Sequence, residues 1–365
     1  MAKRARRARA LERVLLGVIP LILIVAGTAS GQAAELAAAL GNALIGAIQL
    51  PLPGPERGVR VLALEPLAVA GMPLPATDLL YAPFARHAPA WLQRPVRTLE
   101  LDDTAGLSGE FERLGYSLAA GEGRALAVPR IILATLPPDF RAADASDQRK
   151  TMFFQLLLPL ALQVNESILD ERRRLLALRA HRERGEGLTP GEHAWLARLA
   201  GDYGATGDDL DELLRRVDII PPSLALAQAA LESGWGTSAY ARTANALFGQ
   251  YMPDERSRRP AEAGKRAGSA HIRPFERLLD AVGAYARNLN TSVAYRKFRA
   301  ARAAERHAGA HLNGYQLAGL IQRYSERGEP YVRDLRRVMR GNGLAALDDA
   351  WLSSGALTQV VFNDT

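Results

Sequence analysis

The feature that most constrains the fold of this chain is a short helical run with almost no polar side. It opens at Pro221, Pro222 and Ser223. Leu224, Ala227 and Leu231 recur at helical spacing, while Ala225, Ala229 and Ala230 keep the run slim. A helix that is apolar around its circumference has to be enclosed by other elements. Gly234 and Gly236 supply the backbone freedom that stops it. The run therefore predicts a central helix packed among other helices. Its one charge is Glu232, at the C-terminal end.

The neighbouring sequence suits such a setting. From Asp147 onward Phe153, Phe154, Leu157, Leu158, Leu162 and Ile168 form an apolar face, with Pro159 as an expected kink. Thr189, Pro190 and Glu192 form a helix-start pattern. Another helix is expected from near Thr206, with acids early (Asp208, Asp209, Asp211) and Arg215 and Arg216 late, an order that suits the helix dipole. Residues 251–274 are rich in Arg, Pro and Gly and fit a small hairpin or β-lobe. Helices resume over 277–341. The expected class is mostly α (α+β): a helical domain with a small β-lobe over 125–345. Val128 to Leu133 reads as a strand or docking segment. Residues 35–124, broken by Pro51, Pro53 and Pro55, read as a linker and irregular region. Residues 346–365 read as a C-terminal tail.

The formal net charge of +7 is concentrated at the start, where six basic residues against Glu12 give residues 1–13 a net of +5. The folded part is near neutral balance, which argues against a nucleic-acid partner. From Val14 to Ala34 no residue is charged. A basic flank followed by an apolar run reads as a signal peptide or as a membrane anchor with its N-terminus in the cytoplasm. A buried helix of a soluble protein is the blander alternative. Either membrane reading exports the remainder, so residues 1–34 are expected to lead the protein to the periplasm or to anchor it in the inner membrane. Cysteine is absent, which excludes disulfides, thiolate nucleophiles and cysteine metal sites. The six histidines show no ligand spacing, so neither a metal nor another cofactor is expected.

Glu232 is the candidate for chemistry. The negative end of a helix opposes a carboxylate. Burial beside apolar groups, with Trp235 as a candidate wall, also favours the protonated form. A carboxyl kept protonated near neutral pH can give a proton to a glycosidic oxygen. An ordinary helix-terminal glutamate paired with an arginine accounts for the same spacing.

The letters around it add a resemblance. Leu226 to Ser238, reading LAQAALESGWGTS, resembles the active-site helix of the family 73 glycoside hydrolases. Asn245-Ala246-Leu247-Phe248-Gly249 resembles that family's second motif. Within the family the sequence is similar to the Bax-like proteins of Gram-negative bacteria. The similarity extends through Arg149-Lys150, Phe153-Phe154, Leu158-Pro159-Leu160, Asn165, Asn288 to Thr291, Ala294-Tyr295, Tyr324 to Gly328 and Tyr331-Val332. It covers roughly residues 125–345. The resemblance implies a lysozyme-like fold and cleavage of the β-1,4 bond after N-acetylglucosamine in the glycan strands of peptidoglycan. It makes Glu232 the general acid and Tyr295 a residue lining the cleft, with Trp235, Asn245 and Phe248 shaping it.

Two positions depart from the family pattern. Ala246 stands where the family usually has a second asparagine. The family often takes a second glutamate from the β-lobe; here Glu255, Glu262 and His271 are the candidates for that second polar group. A carboxylate about 5 Å from Glu232 permits a covalent intermediate, one about 6.5–9.5 Å away activates water, and with neither the substrate's acetamido group assists. Competing readings are a muramidase or lytic transglycosylase and a non-catalytic peptidoglycan-binding or scaffold protein.

Overall fold

A computed structural model describes residues 60–65 (backbone only), 96–118, 125–142, 147–207, 209–250 and 272–363. In chain order these form β1 (Arg60–Glu65), β2 (Val96–Leu101), α1 (Thr104–Arg113), β3 (Ala127–Val128), β4 (Ile131–Leu133), α2 (Asp147–Glu183) and α3 (Pro190–Tyr203). There follow α4 (Leu210–Arg216), α5 (Pro222–Ser233), α6 (Ala239–Ala244), α7 (Leu278–Thr291), α8 (Arg296–His307), α9 (Gly314–Leu317), α10 (Glu329–Gly341), β5 (Trp351–Leu352) and β6 (Leu357–Phe362). The protein is mostly helical with a small β part. The expected N-terminal membrane segment lies outside the described residues. So do Glu255, Glu262 and His271, with most of the expected β-lobe.

The slim apolar run is the centre of the helical part. Ten of the twelve residues of α5 are buried, leaving only Leu231 and Glu232 partly exposed. Helices α2, α9 and α10 pack around it. Among the described residues, α2 is the helix long and apolar enough to cross a membrane, but 78% of its apolar window is buried inside the protein. It is a core helix that passes through Pro159 and presents Phe153, Leu157, Leu158 and Leu160 to its neighbours.

The entry to α5 is fixed from three sides. Asn165 of α2 donates to Ile220 O (2.8 Å) and accepts from Ile220 N (3.1 Å), clasping the backbone just before the helix. Asp218, 1% exposed, pairs with Arg306 at 2.9 Å and lies 3.7 Å from Arg172 and 3.9 Å from Arg302. Asp348 accepts from Ser223 N (2.8 Å), Ser223 Oγ (2.8 Å) and Gly314 N (3.0 Å), satisfying donors that the helix start leaves open. A Cβ on Gly314 would lie 2.2 Å from Ser223 Oγ, so only glycine fits there.

Burial pushes the Asp348 carboxyl up to about 6, although Ser223 and Gly314 donate to it. Its folded value lies above the unfolded one. It therefore contributes stability below the ordinary aspartate range and loses that contribution as pH rises through about 6. Between pH 4 and pH 7 the wild type should lose on the order of 2–3 kcal/mol more than Asp348→Asn. Urea unfolding of both proteins at the two pH values checks this; identical pH dependence would contradict it.

The β part differs from the sequence reading. Strands β1, β2, β6 and β4 form one sheet in that order, with β1–β2 antiparallel and β6 parallel to both β2 and β4. Part of the expected irregular region thus joins the expected tail. Val96 pairs with Leu357, and Leu99 with Val360, all four buried. The apolar residues of each strand need the other to cover them, and their separation along the chain hides this from local sequence. Residues 346–365 are accordingly not a free tail, because Asp348 and β6 are built into the fold. The helix expected from near Thr206 begins instead at Leu210. Asp209 is its cap, accepting from Glu212 N at 2.8 Å.

Candidate functional site

Glu232 sits on the last turn of α5 because Ser233 and three positive-φ residues end the helix there. Ser233 Oγ donates to Ala229 O (2.6 Å) and accepts from Gly236 N (2.8 Å). Gly234, Trp235 and Gly236 have φ of 58°, 59° and 74°. For tryptophan this is a strained conformation. It is held by packing: the Trp235 ring lies 6.2 Å from Phe153 and 5.2 Å from Phe154, with Lys150 over its face at 5.7 Å. Trp235 therefore buttresses the turn against α2.

The walls around the Glu232 carboxyl come from elsewhere in the chain. Gly249, at φ 59°, passes so close that a Cβ there would lie 3.0 Å from Glu232 Oε2. The Tyr331 hydroxyl of α10 faces the carboxylate and favours its ionised form. Tyr331 also stacks on Tyr324 (6.0 Å, 7°), and Phe248 stacks on Tyr285 (4.1 Å, 10°). Tyr324 donates to Phe248 O at 2.7 Å, tying the Leu-Phe-Gly segment to this cluster. Burial raises the Glu232 pKa above the ordinary glutamate value, and the Tyr331 hydroxyl and the Arg327 charge only partly offset it. Burial also pushes the Tyr295 hydroxyl up to about 12, against a hydrogen bond from Asn288 that lowers it, and the Glu232 charge adds to the rise.

A cleft of about 520 Å³ lies beside this cluster, and its lining includes Phe248, Gly249, Tyr295, Tyr324, Asn288 and Asp202. Asp202 is the carboxylate among its described lining residues. Of the residues singled out in the sequence, Tyr295 and Phe248 line this cleft together. Asn245 does not. It is buried, caps α6 and donates to Phe275 O (3.0 Å) and Glu276 O (3.1 Å), fastening the motif to the start of α7. Tyr331, Gln228, Tyr285 and Gly249 carried no assigned role. Gln228 had a usable signal: it is the polar residue four positions before Glu232, on the same face of an otherwise apolar helix.

Residues 207–344 match the family model for glucosaminidase, described as mannosyl-glycoprotein endo-beta-N-acetylglucosaminidase. Protein bax of Escherichia coli K12 is 34% identical over 211 residues, covering 56% of this chain and 74% of that protein. The chain belongs to the Bax family. It carries a glucosaminidase-type domain, which makes it a glycoside hydrolase acting on glycans. The matched span contains α5, the Leu-Phe-Gly segment and Tyr331, so the residues around Glu232 all lie within it. No solved structure matches the chain.

Proposed function

We propose that the protein hydrolyses the β-1,4 bond after N-acetylglucosamine in peptidoglycan, with Glu232 as general acid. The observation that carries this reading is a half-buried carboxyl, raised in pKa by burial, packed against Gly249, which lines an aromatic-walled cleft. In its protonated form Glu232 gives its proton to the glycosidic oxygen as the bond to the anomeric carbon breaks. The leaving sugar departs as a neutral alcohol. Positive charge develops on the anomeric carbon and ring oxygen, and the ionised Glu232 left behind faces it. Tyr295, beside Glu232 and lining the cleft, orients the sugar bearing the acetamido group. Water then adds to the anomeric carbon, assisted by Glu255, Glu262, His271 or the substrate's own acetamido oxygen, and the proton it releases restores Glu232. The basic, apolar N-terminal segment fits delivery to the periplasm, with residues 1–34 as signal or inner-membrane anchor.

Digestion of purified sacculi, followed by reduction and mass spectrometry of the fragments, tests the reading. Fragments ending in reduced N-acetylglucosamine are expected. Ends in reduced muramic acid or 1,6-anhydromuramic acid would replace it with a muramidase or a lytic transglycosylase. No release beside an active control hydrolase would favour a binding protein.

Gly249→Ala is predicted to act on the same step. Its positive φ costs an alanine about 1–2 kcal/mol, and the new methyl presses on Glu232 Oε2. The expected result is a fall in kcat of roughly 10–100-fold, as for a displaced proton donor, with a smaller change in KM. Steady-state kinetics on soluble glycan strands would show it; unchanged kcat would refute the close approach.

A further inference from the structure

We propose that Gln228 is a positioning residue that decides which oxygen of Glu232 carries the acid proton. The inference rests on the reading of Glu232 as general acid and extends it to residues that never touch substrate.

The argument is one of donors and acceptors. Tyr285 is fully buried, and its hydroxyl donates to Gln228 Oε1 at 2.6 Å. Gln228 is also fully buried, and its Nε2 donates to the Tyr331 hydroxyl at 2.9 Å. Tyr331, 3% exposed, faces the Glu232 carboxyl and favours its ionised form. A phenol has one proton to give. Among the described residues Gln228 is the acceptor within reach of the Tyr285 proton, and a buried hydroxyl without an acceptor is costly. The amide oxygen of Gln228 must therefore face Tyr285. Its nitrogen, a donor only, must then face Tyr331. Having accepted that bond, Tyr331 directs its own proton to Glu232. The Glu232 oxygen that receives it is an acceptor, so the acid proton resides on the other oxygen. Reversing the amide would orphan the Tyr285 proton and turn Tyr331 into an acceptor from Glu232, drawing the acid proton inward.

Gln228→Met and Gln228→Glu test this. Methionine removes both polar groups at similar volume; kcat should fall at least tenfold at every pH, with KM within twofold. Glutamate reproduces the glutamine pattern while protonated, accepting from Tyr285 and donating to Tyr331. Once ionised, it accepts from both. That variant should match the wild type at acid pH and lose kcat in an additional ionisation as pH rises. In a Tyr331→Phe background Gln228→Met should have no further effect on kcat. A packing role alone would give neither the acid rescue nor this non-additivity. If the wild type is active and Gln228→Met keeps its kcat and pH profile, the proposal is wrong while the proposed function stands. If the wild type releases no fragments, the function fails. Carbon-13 titration of the Glu232 carboxyl then decides the proposal: its pKa should rise in Gln228→Met and be insensitive to that change once Tyr331 is Phe. An unmoved pKa in Gln228→Met overturns the inference.

Discussion

Glu232→Gln is expected to lower glycan release by roughly 10²–10⁴-fold while leaving the fold intact, the range that loss of a general acid produces. Glutamine matches the shape of the carboxyl and keeps a polar partner for Tyr331, but it has no acidic proton. The same change should raise stability at neutral pH. Because the folded pKa of Glu232 lies above its ordinary value, the group stabilises the fold below that ordinary value. It loses this contribution as pH rises through the folded pKa. Above the ordinary glutamate value the group therefore costs stability that glutamine does not. Lower activity together with a higher unfolding midpoint is the signature of a site held against stability for function. Activity assays and thermal unfolding on the same preparations would reveal it; a fully active variant would contradict the assignment.

Asp218→Ala should have the largest effect on stability, about 3–5 kcal/mol, as when one partner of a buried ion pair is removed. Burial alone would raise the Asp218 pKa, but Arg302, Arg306 and Arg172 outweigh it and hold the group below the ordinary aspartate range. Without that carboxylate Arg302, fully buried, retains the backbone oxygens of Asp218, Ile219 and Arg215 and the Asn290 side chain as acceptors, but no nearby counter-charge. Because Asp218 stands just ahead of α5, the loss also loosens the aim of Glu232. A shift of the urea midpoint at constant slope would show the energetic part. A change below about 1 kcal/mol, the scale of an exposed pair, would mean that the arginines are served by the backbone alone.

Local sequence carried what depends on neighbours in the chain. The enclosure of α5 follows from its lack of a polar face, and its end at Gly234 from the need for positive φ. The Thr189 start of α3 is a capping box with Glu192, the pattern its letters announce. What local sequence did not carry depends on partners far away. Val96 to Leu101 lacks clean alternation, and β6, which covers it, comes near the end of the chain. Trp235 looked like a wall for Glu232 because it is three residues on. The left-handed turn between them packs the ring against Phe153 and Phe154 of α2, which lie far back in the chain. The residues that enclose the Glu232 carboxyl arrive from two other segments, around Gly249 and Tyr331, and only the folded chain brings them together.

The most direct test of the central claim is the pH dependence of kcat/KM for glycan release. If a buried, protonated Glu232 is the acid, activity must decline on the alkaline side through one ionisation. That ionisation must lie above the ordinary glutamate value of about 4.3 and coincide with the Glu232 titration seen by carbon-13 NMR. A Glu232 that titrates at or below that ordinary value, with activity undiminished well above it, would contradict the account.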